Sequence, residues 1–336
     1  MRAAVRDRFG APWAVVEVRE VEMPVPTEDE VLVRVHAASL NFGDWYAVEG
    51  RPWVGRPSMG LRAPKSERLG TDYAGVVEGV GANVTDFQPG DEVFGGRSGA
   101  LAEYIPARAD RAIVRKPANV SFEEAAAVPV AALTALQGLR DHGRVGPGQQ
   151  VLVNGASGGV GTYAVQIAKA LGADVTAVCS PANVETARSL GAERVIDYTR
   201  EDFTRGPERF DVLLDVAGSR SWRECTRVLG KDARLVIVGG PKRGRLLGPI
   251  GGLIGKKLGA LFSSRTAPFF IAKFNKPDLE ELRQLVESGK VRSVVDRRYG
   301  LDDVIQALDY LGEGHARGKV IVTFGAEPDQ KARAEQ

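Results

Sequence analysis

The sequence has few of the side chains that hold transition metals. Among 336 residues, cysteine occurs only at Cys179 and Cys225 and histidine only at His36, His142 and His315, and no two of these share a short motif. A structural zinc with four cysteine ligands is therefore excluded, and a catalytic zinc would need carboxylates in place of most of its usual ligands. Two cysteines cannot build a disulfide framework, which indicates a reducing compartment.

The sequence also lacks a large net charge and a long hydrophobic run. Its 45 basic and 43 acidic residues leave a net charge of +2, too little to select nucleic acid as a partner. The N-terminus has no apolar signal segment, and the apolar stretch 246–255 is about half of the ~20 residues that span a membrane. We expect a cytoplasmic protein that acts on a small molecule, with no nucleic-acid partner and no membrane insertion.

Basic residues flank that apolar stretch. They are Lys242, Arg243, Arg245, Lys256 and Lys257. No aromatic residues are interleaved with them and no helical amphipathicity is sustained, so we interpret the cluster as a solvated loop rather than a membrane or nucleic-acid contact.

The first 125 or so residues alternate short β-patterned runs with turn signals, as at 30–36, 73–80 and 91–94. This pattern predicts a mostly antiparallel β domain. An alanine-rich stretch, 122–140, predicts a helix that leads out of it.

Buried strands alternate with helices after residue 150, which predicts a doubly wound parallel sheet and an α/β fold. The predicted strands are 151–153, 175–179, 195–198, 212–216 and 235–238, with helices at 159–171 and 184–190 between the first three. The tail returns to mixed structure, with strands at 269–274 and 319–324 and helices at 278–288 and 302–311. We therefore predict a domain of residues 126–268 inserted into a discontinuous domain of residues 1–125 and 269–336.

The strongest local motif is VLVNGASGGVGTYAVQIAKA, from Val151. A buried strand enters a glycine-rich turn and then a helix, so the backbone can approach a pyrophosphate whose charge meets the free N–H groups of the helix N-terminus. The turn residues are Ser157, Gly158, Gly159, Val160 and Gly161. Ala156 departs from the strict glycine pattern, and a simple tight turn is the alternative, but the flanking strands and helices favour dinucleotide binding.

The choice of cofactor depends on the end of the next strand, where NAD-binding proteins place a carboxylate on the ribose. This strand ends at Ser180 with no carboxylate, so nothing repels a 2′-phosphate and the hydroxyl can donate to one. Capping of the following helix is the alternative role of Ser180. We predict NADPH.

With these residues in view, the chain resembles the medium-chain dehydrogenase/reductase superfamily, in its zinc-free quinone-oxidoreductase-like and enoyl-reductase-like branch. The matching segments are 37–41 with Asp44, 69–72 with 74–77, 129–135, 158–161, 195–198 and 315–319. The resemblance implies a GroES-like β domain interrupted by a Rossmann domain, an active site between the two, and a possible homodimer.

The resemblance places Asn41, Thr71 and Val130 where zinc-dependent members hold their ligands, and none of these can replace a thiolate or imidazole. It therefore implies no zinc. It also implies cofactor contacts at Ser157, Gly158, Gly159, Val160, Gly161, Ser180, Tyr198, Val216, Gly239, Phe270, Arg317, Gly318 and Lys319. Tyr198 is expected near the 2′-phosphate, with a partly buried strand-end aromatic as its alternative role.

A hydride acceptor that needs no metal delocalises the charge it receives, as quinones and α,β-unsaturated carbonyls do. For this chemistry the candidate catalytic residues are Asn41, Asp44 and Thr134, and the candidate walls of the substrate pocket are Tyr46, Trp53 and Tyr73. Alternatively, Asn41 and Asp44 are structural and the aromatics are core. Trp53 also stands where enoyl thioester reductases have a tyrosine, which argues against that reaction.

Other residues are weaker candidates. We expect His36 on a sheet face, His142 in a glycine-rich loop, and Cys179 and Cys225 in packed elements. Two other functions stay open: a non-catalytic NADPH-binding sensor or interaction protein, and a zinc-free alcohol dehydrogenase for simple carbonyls.

Overall fold

The structure is a computed structural model that describes residues 1–51, 56–239, 249–261 and 263–325. Trp53, a predicted pocket residue, lies outside these ranges, and so do Lys242, Arg243 and Arg245 of the basic cluster.

The N-terminal half and the C-terminal segment share one β sheet, with a separate antiparallel pair beside it. The pair is β1 (Arg2–Val5) and β2 (Glu17–Glu20); the sheet strands are β3 (Glu30–Leu40), β4 (Asp72–Val80), β5 (Glu92–Gly96), β6 (Tyr104–Arg108), β7 (Ile113–Arg115), β13 (Val295–Gly300) and β14 (Lys319–Thr323). Their order is β13-β14-β3-β4-β5-β7, with β6 also on β3, and all neighbours are antiparallel except β13 and β14. β14 thus joins the C-terminal segment to the first domain.

The middle of the chain forms a parallel sheet. Its described strands are β8 (Gln150–Asn154), β9 (Asp174–Cys179), β10 (Arg194–Asp197), β11 (Phe210–Asp215) and β12 (Leu229–Ile237), in the order β10-β9-β8-β11-β12. Most of their side chains are buried, as the runs of valine, leucine and alanine predict for a sheet covered on both faces. The predicted α/β fold, a GroES-like domain interrupted by a Rossmann domain, is confirmed.

Eleven helices are described among these strands. They are α1 (Pro12–Val15), α2 (Phe42–Glu49), α3 (Arg56–Met59), α4 (Phe122–Ala126), α5 (Pro129–Gln137), α6 (Gly159–Ala170), α7 (Val184–Ser189), α8 (Trp222–Cys225), α9 (Pro249–Ala260), α10 (Lys276–Glu287) and α11 (Val304–Glu313). None of these described helices is long and apolar enough to cross a membrane. The cytoplasmic location stays a prediction.

The helix predicted over 122–140 is broken. α4 ends before Pro129, which begins α5 because a proline at the first helical position needs no N–H partner. A π-helical turn, Gly138–Gly143, then continues α5. His142 therefore lies in a helical turn rather than in a loop, and its ring stacks on Phe270 at 4.2 Å between centroids.

The predicted strand 269–274 is wrong. Within it, only Phe269 bridges the parallel sheet, opposite Ile237; the chain then continues through α10 and re-enters the first sheet at β13. The predicted domain bounds at 126 and 268 are not tested by this arrangement and stay a prediction.

The loop interpretation of the basic cluster is wrong for its two described members, although Lys257 is exposed to solvent as expected. Lys256 and Lys257 lie in α9, and Lys256 is buried and forms an ion pair with Asp215. The sequence contains no local sign that Lys256 is buried, because its partner Asp215 is 41 residues away along the chain.

Candidate functional site

A cleft of about 380 Å³ opens beside the start of α2. Asn41 stands just before that helix, Thr71 just before β4, and Val130 in the first turn of α5, and all three line the cleft. The three positions that the resemblance assigns to zinc ligands thus meet in space. Phe274 also lines the cleft and was missed by sequence reasoning, which assigned it to a strand.

A buried charge cluster lies behind Asn41. Lys319, 2% exposed, donates to Asn41 Oδ1 at 2.6 Å and lies 3.3 Å from Asp72 Oδ2, and Asp72 is fully buried. Asn41 Nδ2 donates to the same carboxylate at 2.9 Å, and the Val130 N–H donates to its other oxygen at 3.0 Å. Burial raises the pKa of Asp72, and the charge of Lys319 opposes that rise. The cluster holds the Asn41 amide in one orientation, because opposite charges contact its oxygen and its nitrogen.

The Asp44 carboxylate caps the N-terminus of α2, the helix to which it belongs. Its carboxylate accepts from the Asn41 N–H at 2.7 Å and from the Thr71 hydroxyl at 3.2 Å. Burial raises the pKa of Asp44 to about 6, although the Asn41 bond opposes the rise. A carboxyl group that carries a proton at mildly acidic pH therefore lines the cleft.

Arg6 also lines the cleft and adds a positive charge to it. Its guanidinium is buried and donates to the carbonyl of Ala47 near the end of α2. Burial lowers the pKa of Arg6 to about 10.

The remaining predicted catalytic and pocket residues lie elsewhere. Thr134 donates its hydroxyl to Val130 O at 2.6 Å, within α5. Tyr46 packs edge-on against Phe42 at 4.8 Å. Tyr73 does not line the cleft beside Asn41: it is fully buried and lines a second cavity with Phe274. Alternation along β4 points Tyr73 to the opposite side of the sheet from Asp72. Its role as a wall of the substrate pocket stays a prediction.

The glycine turn has the geometry of an anion cradle. Gly155 has a φ of +92°, and a Cβ on Gly161 would lie 2.1 Å from Gly155 O, so neither position tolerates another residue without rearrangement. α6 begins at Gly159 after Gly158, and no side chain caps it. Its first N–H groups are therefore available to a phosphate. Lys319 passes beside this turn, since a Cβ on Gly159 would lie 3.0 Å from Lys319 Cδ.

Ser180 and Tyr198 follow neighbouring parallel strands, β9 and β10, and Tyr198 N donates to Cys179 O at 3.2 Å. They therefore meet at one edge of the sheet. Ser180 does not cap the next helix; its hydroxyl oxygen accepts from Asn183 at 2.7 Å and keeps its own hydrogen to donate. Tyr198 is more than half exposed. Arg200, missed in the sequence, is exposed just beyond Tyr198.

The other residues predicted to contact the cofactor lie in different parts of the structure. Val216 and Gly239 follow β11 and β12, and their N–H groups donate to Asn154 O and Asp215 O at that same edge. Gly318 lies against the glycine turn, with its carbonyl oxygen 3.7 Å from a Cβ on Gly159. Arg317 is exposed, with its N–H on Asp296.

Phe270 stacks on His142, and its contact with a cofactor stays a prediction. So do the roles of all the residues assigned to the cofactor from the sequence.

Asn154 and Asp215 were missed as supports of the glycine turn. Asn154 Nδ2 donates to Asp215 Oδ1 at 2.7 Å, and Gly218 N donates to the same oxygen at 2.9 Å. Both residues end a strand in an apolar run, which is the signal that sequence reasoning had available and did not use.

Among the described residues, no group of three or more His, Cys, Asp or Glu side chains is placed to hold a metal ion. At the cleft the amide, hydroxyl and apolar side chains of Asn41, Thr71 and Val130 do not match the thiolate and imidazole ligands that zinc prefers. The residues present do not fit a catalytic zinc.

Replacement of Asp44 by Asn should change how stability depends on pH. In the folded wild type this carboxyl binds its proton up to about pH 6, but in the unfolded chain only up to its ordinary pKa of 3.8. Its contribution to stability is therefore present below about pH 4 and is lost as the pH rises to 6. The free energy of unfolding of the wild type, measured relative to that of Asp44→Asn, should fall by up to about 3 kcal/mol over this window.

Urea unfolding at a series of pH values measures the difference. Asp7→Asn, which removes an exposed carboxylate, should give no such window. A difference between wild type and Asp44→Asn that is constant with pH would mean that Asp44 is ionised throughout.

Two family descriptions match separate parts of the chain. Residues 27–118 match the alcohol dehydrogenase GroES-like domain and residues 190–322 the zinc-binding dehydrogenase family. The first match covers β3 to β7, and the second begins before β10 and ends within β14.

Similar proteins cover nearly all of the chain. A chloroplastic quinone-oxidoreductase, QR1, of Triphysaria versicolor is 33% identical over 96% of this chain and 98% of its own. A chloroplastic NADPH-dependent alkenal/one oxidoreductase of Arabidopsis thaliana is 32% identical over 96% of this chain and 79% of its own. The solved Escherichia coli quinone oxidoreductase complexed with NADPH is 27% identical, with a TM-score of 0.81, and covers 96% of this chain and 100% of that one.

Each of these relatives is similar to nearly the full length of this chain. The chain is an oxidoreductase that belongs to the medium-chain dehydrogenase/reductase superfamily.

Proposed function

We propose that the protein is a zinc-independent, NADPH-dependent reductase that transfers hydride to a quinone or an α,β-unsaturated carbonyl. The observation that carries the proposal is the cleft wall formed by Asn41, Thr71 and Val130. Lys319 links this wall to the glycine turn, because it donates to Asn41 and packs beside Gly159. This wall offers hydrogen-bond donors but no strong Lewis acid. The relatives named for quinone and alkenal/one reduction support the same class of acceptor.

The residues present fit NADPH. The uncapped N-terminus of α6 and the turn from Ser157 to Gly161 would hold the pyrophosphate, and the edge that carries Ser180, Tyr198 and Arg200 would hold the adenosine 2′-phosphate. NADPH supplies a hydride from its nicotinamide ring when bound. The known NADPH complex of the similar Escherichia coli enzyme supports this choice of cofactor.

Asn41 is the donor that faces the acceptor. Its oxygen accepts from Lys319 and one hydrogen of its amide nitrogen goes to Asp72. The second amide hydrogen has no partner among the described residues and can bind the acceptor oxygen as negative charge develops there. A preoriented donor stabilises that charge without reorganisation.

Asp44 holds a proton in the same cleft. Its pKa of about 6 leaves a fraction of the carboxyl groups protonated near neutral pH. After hydride transfer a quinone or enone becomes a phenolate or enolate, which takes up one proton, and Asp44 can provide it.

An amide donor and a carboxyl group are weaker electrophiles than a metal ion. They suit acceptors that spread the developing charge over a ring or a conjugated system, and they suit a simple ketone less well. This contrast favours the reductase over the zinc-free alcohol dehydrogenase. The protonated Asp44 in an open cleft favours it over a non-catalytic NADPH-binding protein.

The purified protein should oxidise NADPH in the presence of a small quinone or an alkenal, measured by the loss of nicotinamide absorbance. Turnover with aldehydes and simple ketones should be slower by at least about tenfold in kcat/KM. EDTA should leave the rate unchanged.

Loss of activity with EDTA and its return with zinc would contradict the zinc-independent mechanism. Tight NADPH binding without turnover of any acceptor would identify the sensor instead, and equal rates with simple ketones would identify the alcohol dehydrogenase.

Replacement of Ser180 by Asp should shift the cofactor preference toward NADH. The new carboxylate stands where the 2′-phosphate is expected, so like charges repel, and the ratio of kcat/KM for NADPH over NADH should fall by at least about tenfold. Ser189→Asp is the matched control, because Ser189 is exposed at the end of α7. An unchanged ratio in Ser180→Asp would place the adenosine pocket elsewhere.

Activity should depend on Asp44 as a proton source. In the wild type, kcat with a quinone should fall as the pH rises through about 6, since the protonated form is lost. Asp44→Asn keeps an acceptor for the Asn41 N–H but holds no transferable proton, so its kcat should be lower and flat through this window. The same pH step in the variant would assign the titration to another group.

A further inference from the structure

Arg6 is a buried cation without an anionic partner. It follows β1 directly, is 6% exposed, and lines the same cleft as Asn41 and Asp44. Among the residues that the structure describes, it forms no ion pair; the negative charge of Asp44 acts on it only from a distance and opposes the lowering of its pKa by burial. A buried charge is costly when it is left unpaired. The position of Arg6 therefore suits an anion that is not part of the described chain.

The guanidinium group of Arg6 is held in place with one edge unused. Its Nη1 donates to the carbonyl oxygen of Ala47, and the group lies 5.2 Å from the centroid of the Phe9 ring. Its Nε is enclosed without a hydrogen-bond partner, and no described residue accepts from Nη2. The N–H bonds of Nε and Nη2 point in parallel from one edge of this planar group, and a carboxylate can accept from both.

The other charged residues that line the cleft do not neutralise Arg6. Lys65 and Arg68 add two more cations, and both are more exposed than Arg6. Asp44 is the only carboxyl group among the described lining residues. When Asp44 carries the proton that the proposed function assigns to it, the described lining holds three cations and no negative charge.

Nearby carboxylates are paired elsewhere. Glu49, at the end of α2, forms an ion pair with Arg51 at 2.8 Å. Glu67, whose main-chain carbonyl accepts from the Arg6 N–H, places its carboxylate on Arg19 at 2.9 Å. The unused edge of Arg6 is thus left to a ligand in the cleft.

We propose that the acceptor carries a carboxylate group and that Arg6 binds it, so that Arg6 selects acidic enones or quinones over neutral ones. This inference rests on the proposed function and names the acceptor class of the same cleft. The phosphates of NADPH are a poorer match, because they are expected at the glycine turn and beside Ser180, whereas Arg6 lies on the wall with Asn41. A neutral acceptor would leave the charge of Arg6 unpaired, and a site built for a polar group discriminates strongly against a ligand that lacks it.

The carboxylate can be tested with pairs of acceptors that differ only in charge. Benzylideneacetone that carries a carboxylate at the meta or para ring position is compared with the corresponding methyl ester. Their dissociation constants are measured by calorimetry on the full-length protein saturated with NADP⁺, which has no hydride to give, so no turnover is needed. We expect the better carboxylate isomer to bind at least about tenfold more tightly than its ester. With NADPH, the same preference should appear in kcat/KM.

Arg6→Gln removes the charge but keeps a donor for the Ala47 carbonyl. It should reduce the preference for the carboxylate by at least about tenfold and leave ester binding nearly unchanged. Arg6→Lys keeps the charge without the two parallel donors, so its preference should lie between those of the wild type and Arg6→Gln. Arg8→Gln is the matched control, because Arg8 also donates to a main-chain carbonyl, that of Ala14, but is exposed outside the cleft; it should keep the full preference.

Equal binding of carboxylate and ester by the wild type would overturn the inference, and this comparison needs no variant to fold. Circular dichroism and thermal unfolding establish that each variant is folded. A preference that persists in folded Arg6→Gln would place the carboxylate on another cation. Equal loss of affinity for both ligands would assign Arg6 to the support of α2. Either result would overturn the role of Arg6.

The same measurements separate this inference from the proposed function. Turnover of enones or quinones without any preference for the carboxylate would leave the reductase in place and contradict the carboxylate site. Selective binding of the carboxylate through Arg6 without turnover of any acceptor would contradict the reductase and leave the site in place.

Discussion

The ion pair between Lys319 and Asp72 is the interaction on which the site depends. Both side chains are almost completely shielded from water, and either charge alone would be costly to bury. β14 lies beside β3, and β3 beside β4, with Val320 opposite Leu40 and Ser39 opposite Asp72. The ion pair can form only when β14 has paired with β3, so the wall of the cleft is complete only after strands far apart in the chain have joined one sheet.

The same pair connects the two domains. Asp72 accepts from Val130 at the start of α5, and the lysine stem lies against Gly159 at the start of α6. The Asn41 amide is thus held by two side chains of the first sheet, of which Asp72 also contacts α5 and Lys319 also contacts the glycine turn.

Local patterns were sufficient for the parallel sheet and for the helix that follows the glycine turn. The helix predicted at 159–171 is observed as Gly159–Ala170. The glycine-rich turn indicates where the helix begins, and the spacing of its apolar residues indicates which face is buried. Both signals lie within about twenty consecutive residues. The meeting of Asn41, Thr71 and Val130 was also foreseen, but only through resemblance to a family. Nothing in their spacing along the chain shows that they are neighbours.

Sequence patterns failed where a charged side chain is buried. Lys256 and Asp215 are 41 residues apart and Lys319 and Asp72 are 247 apart, so neither pair has a local signature. The side of the sheet that Tyr73 faces is likewise decided by the pairing of β4 with β3. Long-range pairing decides these positions, and a pattern read along the chain does not contain it.

The buried lysine of α9 is linked by contacts to the residues that support the glycine turn. Lys256 contacts Asp215, Asp215 accepts from Asn154, and Asn154 is the last residue of the strand that leads into Gly155. The inward face of α9 is therefore bonded to the base of the glycine turn.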